Sequence, residues 1–190
     1  MKKLEELEIY AHENYVPIIR KDNIEYLEKI IKEEKLYNIL ELGSAIGYSA
    51  IRMALVDENV KVTTIERDFE MVNQARKNIE AFNLENQITL IHEDIFNVTT
   101  FDKFDLIFID AAKAQYIKFF NKFKDNLKDN GVIISDNLEL LDLQKLTQSK
   151  RSKRLVEKMN EYKEFLNSLK DYKTEYLDIG DGFAITKKNL

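Results

Sequence analysis

Three stretches place acidic, amide and amine side chains where chemistry is feasible: E-L-G-S-A-I-G (Glu41–Gly47), D-A-A-K (Asp110–Lys113) and D-N (Asp136–Asn137). Gly43 and Gly47 follow an apolar strand and open a helix, the place where open α/β sheets bind nucleotides. A dinucleotide fingerprint needs G-x-G-x-x-G, but Ala45 and Tyr48 stand where two of its glycines would fall. No Gly-Lys-Ser/Thr follows, so a phosphate-cradling loop is excluded. Glu41 ahead of the turn suits a cationic ligand and opposes a pyrophosphate. Glu66, at the end of the second strand, fits a ribose diol. S-adenosylmethionine, with a ribose, a sulfonium and an ammonium group but no phosphate, meets all three conditions. On spacing alone, a tight strand–helix turn with no ligand is the alternative.

Asp110 ends the fourth apolar run, and Asp136-Asn137 end the fifth. Neighbouring strand ends of a parallel sheet can converge on one point. Two carboxylates and an amide oxygen make a hard, all-oxygen half-shell suited to Mg²⁺ and acceptable to Mn²⁺ or Ca²⁺. Taken singly, either aspartate reads equally as a cap of the turn that follows. Lys113, three residues past Asp110, either reaches the same point with its amine or is a solvated lysine at a helix start. With two histidines, His12 and His92, and no cysteine, little is left for a zinc site.

These residues need a scaffold. The chain has 190 residues, 44 % apolar and 33 % charged, which suits one globular domain over residues 1–190. The expected strands are Asn38–Leu42, Lys61–Glu66, Ile88–His92, Phe104–Asp110 and Val132–Asp136. Asp68 reads as an N-cap, with Val72, Ala75, Ile79 and Phe82 following at helical spacing. Phe120, Phe123 and Leu127 continue a helical pattern that Asn130-Gly131 closes. Thr174–Ile179 and Phe183–Lys187, joined by Gly180-Asp181-Gly182, read as a hairpin. The expected fold is α/β and Rossmann-like: a seven-stranded, mostly parallel sheet with an antiparallel last strand and helices on both faces. Residues 1–35 form an N-terminal helical segment of two helices broken near Val16-Pro17. The N-terminus has no apolar stretch of signal-peptide or membrane type, so a cytoplasmic location is expected.

E-L-G-S-A-I-G-Y-S-A together with T-I-E-R-D resembles the class I S-adenosylmethionine-dependent methyltransferases. F-I-D-A-A-K (Phe108–Lys113), I-I-S-D-N (Ile133–Asn137) and I-G-D-G (Ile179–Gly182) narrow the resemblance to the cation-dependent O-methyltransferases of the catechol and caffeoyl-CoA type. Within that family, V-P-I, A-I-G-Y-S-A-I-R-M-A and D-A-A-K-x-Q-Y are most similar to the bacterial tRNA 5-hydroxyuridine methyltransferases. Ala114 departs from that pattern, where glycine is expected. The resemblance implies that Glu66 binds the ribose and Gly43, Ser44 and Ser49 the methionine portion, with Asp110 beside it. It places adenine at Asp94-Ile95, and it makes Lys113 the general base. Ile19, beside Pro17, is expected to cover the cofactor, and Glu41 belongs to the same cofactor set. The metal ligands would be Asp110, Asp136 and Asn137, leaving about three octahedral positions open. Catechol, or the 5-hydroxyl and C4 carbonyl of 5-hydroxyuridine, offers two adjacent oxygens to fill two of them.

The net charge of −5 argues against bulk nucleic-acid binding. Locally, Lys145, Lys150, Arg151, Lys153, Arg154 and Lys158 face only Glu157 within their stretch. This run is either a solvated helix face or a phosphate-steering patch flanking the acceptor. Lys150, Arg151, Lys153 and Arg154 are the candidate contacts to a tRNA anticodon loop. Tyr48 and Tyr116 are candidate stacking residues, although Tyr116 equally suits packing, as does His92. The expected reaction is metal-assisted methyl transfer to wobble 5-hydroxyuridine, giving 5-methoxyuridine. A catechol-like small-molecule acceptor and a non-catalytic nucleotide-binding module stand as alternatives. The family also implies a homodimer.

Overall fold

In the computed structural model, residues 2–100, 102–138 and 150–189 are described. Two helices, α1 (Lys2–Glu13) and α2 (Lys21–Glu34), precede β1 (Asn38–Leu42), α3 (Tyr48–Ala54) and β2 (Lys61–Glu66). There follow α4 (Phe69–Phe82), β3 (Ile88–His92), β4 (Phe104–Ile109), α5 (Tyr116–Phe123) and β5 (Leu127–Ser135). Then come α6 (Lys150–Ser168), β6 (Tyr172–Leu177) and β7 (Phe183–Lys188). The strands form one sheet in the order β3-β2-β1-β4-β5-β7-β6. β1 to β5 run parallel, and β7 is antiparallel to both of its neighbours.

Strand residues alternate between two apolar layers, as the pleat requires. Ile39, Val62, Leu106 and Ile134 join Ile24, Leu27, Ile31 and Ile51 on one face. Leu40, Ile65, Ile107 and Ile133 join Phe120, Phe123, Tyr162 and Leu166 on the other. Both faces are therefore covered, which explains the unbroken apolar runs of the central strands. Asp68 caps α4 as expected, its Oδ1 accepting the backbone N–H groups of Glu70 and Met71 at 3.0 and 3.1 Å. Among the described residues, no helix is long and apolar enough to cross a membrane.

One expected secondary-structure element fails. Asn130-Gly131 does not close a helix but lies inside β5, which starts at Leu127 after a 3₁₀ turn over Lys124–Asn126. Between the pairs Phe104–Leu127 and Leu106–Val132 the register slips, because β5 uses five residues where β4 uses two. A side chain at Gly131 would sit 2.8 Å from Leu127 Cδ1 and 3.0 Å from the Asp105 carbonyl. The glycine marks a bulge with a close backbone approach rather than a helix end.

Candidate active site

The strand order reverses between β1 and β4, so a crevice must open beyond their carboxyl ends. The sheet's hydrogen bonds continue one residue past the strands. Gly43 N–H donates to Ile65 O at 3.0 Å, Asp110 N–H to Leu42 O at 3.1 Å, and Asp136 N–H to Ile109 O at 3.1 Å. This extension sets Gly43, Asp110 and Asp136 side by side at the mouth of the sheet. Gly43 has φ +97°, and a Cβ there would lie 2.6 Å from the Asp110 carbonyl, so only glycine lets the two strand ends approach. A cavity of about 530 Å³ opens above them, a size suited to a nucleoside-type ligand.

Asp110 and Asp136 form the polar floor. The Asn137 side-chain amide bridges them, Nδ2 donating to Asp136 Oδ2 at 2.8 Å and reaching Asp110 Oδ1 at 3.5 Å. Burial raises the pKa of both carboxyls above the ordinary range; the charges of Glu41 and Asp181 raise Asp110 further, against the opposing ammonium of Lys113, and the charge of Asp110 raises Asp136 further. Lys113, in the turn Lys113–Gln115, lines the same cavity. Burial depresses its pKa, opposed by the negative fields of Asp110, Asp136 and Asp181. Among the described residues no group of three or more His, Cys, Asp or Glu side chains forms a metal cluster. The donor set is two carboxylates and an amide. It fits a hard divalent cation, because two buried like charges demand a compensating positive charge and Asn137 can turn its amide oxygen toward them.

A test of that fit follows from linkage. Both carboxyls titrate higher in the folded chain than in the unfolded one, so the native state holds protons that the unfolded state has released. Stability of the metal-free protein should therefore fall as pH rises from about 4 to about 7. Thermal melts with and without Mg²⁺ check this: the cation should raise Tm at pH 8 and do little at pH 5. Equal shifts at both pH values would contradict it.

On the cofactor side, Ile19, Gly43, Ser44, Glu66, Asp94, Ile95 and Asp110 all line the cavity. Glu66 Oε2 accepts Ala45 N–H at 3.0 Å, and its Oε1 accepts the N–H groups of Arg67 and Asp68 at 2.8 and 2.9 Å. This holds the carboxylate at the end of β2. Glu41 and Ser49 are placed differently from the sequence expectation and do not line the cavity. Glu41 is fully buried beneath the turn, accepting hydrogen bonds from Ser49 Oγ and Thr64 Oγ1, each at 2.5 Å. Burial pushes its pKa up to about 7, against the lowering effect of those two hydroxyls.

Neither proposed stacking residue faces the cavity. Tyr48 is 3 % exposed and donates its hydroxyl proton to Glu8 while accepting from Arg52. Tyr116 is 1 % exposed and donates to the Asp136 carbonyl at 3.2 Å. His92 is exposed rather than packed in the core, its ring beside that of Phe69. The aromatic wall is instead Phe96 with Phe119, stacked at 5.1 Å. Sequence reasoning also missed Arg20 and Asp181, which line the cavity and pair at 3.1 Å, tying the segment before α2 to the β6–β7 hairpin. The only available signal was the I-G-D-G motif, which local reading assigns to a turn. Lys150, Lys153 and Arg154 are exposed on the first turns of α6, which packs against the turn carrying Lys113. Lys145 and the side chain of Arg151 lie outside the described residues.

The family model described as O-methyltransferase matches residues 1–189, so the chain belongs to that family. A Staphylococcus aureus structure, provisionally named a caffeoyl-CoA O-methyltransferase, is 34 % identical with a TM-score of 0.91, over 98 % of this chain and 92 % of that one. A catechol O-methyltransferase from Niastella koreensis is 32 % identical over 108 residues, 53 % of this chain and 49 % of that protein. A caffeoyl-CoA O-methyltransferase from Stellaria longipes is 25 % identical over 182 residues, 87 % of this chain and 72 % of that protein. The chain thus spans about half the length of the first of these curated relatives. The fold is the Rossmann-like fold of methyltransferases.

Proposed function

We propose that the protein is an S-adenosylmethionine-dependent, metal-assisted O-methyltransferase of the catechol and caffeoyl-CoA type, with wobble 5-hydroxyuridine of tRNA as its acceptor. The observation that carries the reading is the Asp110–Asn137–Asp136 floor, with Asp136 buried and its two neighbours half-buried, and Lys113 on the same cavity. Asp110, Asp136 and Asn137 would hold a divalent cation, which when bound polarises the acceptor hydroxyl and orients it. S-adenosylmethionine supplies the methyl group, with Glu66 at its ribose and the Gly43-Ser44 turn at its methionine end. Lys113 takes the acceptor's proton at Nζ, a role that its burial-depressed pKa favours. Ile19 and the segment around it keep water from the cofactor.

The tRNA assignment rests on the resemblance and on the exposed cations of α6. Lys150, Lys153 and Arg154 stand on a helix that borders the Lys113 turn, where they would meet the phosphates of an anticodon loop. A homodimer belongs to the same reading. The small-molecule alternative is favoured by the names of the relatives, catechol and caffeoyl-CoA O-methyltransferases. Incubation with S-adenosylmethionine, Mg²⁺ and tRNA carrying 5-hydroxyuridine, beside a catechol reaction, separates the two. 5-Methoxyuridine in the nucleoside mass spectrum with little catechol turnover supports the tRNA reading; silent tRNA with methylated catechol overturns it. Replacing Lys150, Lys153 and Arg154 by glutamate should raise KM for tRNA by about tenfold or more and flatten its salt dependence. KM for S-adenosylmethionine should stay unchanged, and an unchanged KM for tRNA would remove α6 from the interface.

A further inference from the structure

Asn23 is fully buried at the third position of α2, on the same helix face as Leu27 and Ile30. An amide in an apolar stripe is unfavourable unless it is hydrogen-bonded. Its Nδ2 donates across 113 residues of sequence to Asp136 Oδ1, at 2.6 Å. The same oxygen accepts the Asn137 backbone N–H at 2.7 Å. Both lone-pair directions of Oδ1 are thereby used. Among the described residues, Oδ2 accepts only from the Asn137 side-chain amide, the group that also reaches Asp110.

We infer that Asn23 is a positioning residue for Asp136: by occupying Oδ1 it turns Oδ2, with Asp110 Oδ1, toward the point where a cation would bind. The inference rests on the reading of Asp110, Asp136 and Asn137 as metal ligands. Asn23 makes no contact with the cavity and acts only through the carboxylate it orients.

A second contact shows what keeps the amide in place. Asn23 Oδ1 is buried with no hydrogen-bond partner. A Cβ at Gly180, in the hairpin between β6 and β7, would lie 1.6 Å from that oxygen and 2.8 Å from Asn23 Cγ. The hairpin backbone therefore presses on the oxygen side of the amide while the nitrogen side holds Asp136. An unpartnered buried acceptor is unfavourable, so packing alone does not call for an amide at this position. What only the amide supplies is the fixed rotation of Asp136. Gly180 is the clearance that lets it do so.

The test is Mn²⁺ binding, read from the electron paramagnetic resonance signal of free Mn²⁺, in the wild type, Asn23→Ala, Gly180→Ala and Asp136→Asn. Calorimetry gives S-adenosylmethionine affinity without metal. Asp136→Asn should abolish site binding. Asn23→Ala should weaken Mn²⁺ binding by about tenfold or more, within the range for groups that orient a ligand, and leave S-adenosylmethionine affinity within about twofold. Gly180→Ala reaches the same amide from the other side and should weaken Mn²⁺ likewise. Wild-type Mn²⁺ affinity in Asn23→Ala, alongside loss in Asp136→Asn, would overturn the positioning role and leave the metal reading standing. Equal loss of Mn²⁺ and S-adenosylmethionine binding in both variants would also overturn it, as general disruption of the fold. No Asp136-dependent Mn²⁺ binding in the wild type would overturn both readings.

Discussion

Asp136→Asn is expected to lower methyl transfer by about 10³-fold or more while making the metal-free protein more stable above neutral pH. The loss corresponds to about 4 kcal/mol of transition-state stabilisation, the scale of a metal acting as a Lewis acid. The gain in stability has a separate cause. Asp136 is buried beside Asp110, and burial together with that neighbouring charge raises its pKa. A neutral amide removes the repulsion, and its N–H group, at the position of Oδ2, is satisfied when the Asn137 side-chain amide flips to present its oxygen. The new amide's oxygen still accepts from Asn23 and from the Asn137 N–H, the two bonds now made by Oδ1. Opposite signs for stability and activity distinguish a metal ligand from a helix-capping aspartate, whose loss destabilises by about 1 kcal/mol. Thermal melts at pH 8 and initial rates at saturating S-adenosylmethionine measure the two. A destabilised variant with retained activity would return Asp136 to the capping role.

Lys113→Met is expected to lower kcat by about 10²- to 10⁴-fold, the usual yield of a positioned acid–base group, with S-adenosylmethionine affinity nearly unchanged. Methionine keeps the length and apolar stem of the side chain, so the cavity wall survives while the amine is lost. Burial already disfavours the charged ammonium. In the wild type, the rising limb of the pH–kcat profile should therefore reflect deprotonation of Lys113, and in Lys113→Met that limb should vanish. A variant whose rate falls less than about fivefold and whose profile keeps its shape would make Lys113 a bystander.

The parts of the site that were legible in the sequence share a physical cause. β1 and β2 are apolar runs largely buried in the sheet and β3 is a half-buried edge strand, and the bounds of all three coincide with the apolar segments of the sequence. Once the strands were parallel neighbours, Asp110 and Asp136 had to meet, because the ladder hydrogen bonds run one residue past each strand end. Glu41 misled because a carboxylate before a glycine turn looks aimed at the ligand. In the fold it is an inward-facing strand residue satisfied by Ser49 and Thr64. Asn130-Gly131 misled because the exposed residues Lys128, Asp129 and Asn130 have turn composition while belonging to a bulged strand. Asn23, Arg20 and Asp181 were not legible. Asn near a helix start and Asp between two glycines are ordinary local choices, and only the folded sheet brings Arg20 and Asp181 to the cavity and Asn23 to Asp136.

If oxygen ligands at the ends of β4 and β5 hold a cation needed for methyl transfer, removing that cation must stop the reaction. The most direct measurement is transfer from S-adenosylmethionine to 5-hydroxyuridine-containing tRNA and to catechol, before chelation, after chelation, and after Mg²⁺ is returned. Transfer to at least one acceptor should stop with the chelator and recover with Mg²⁺. Transfer that continues undiminished in the chelator would contradict the cation's role.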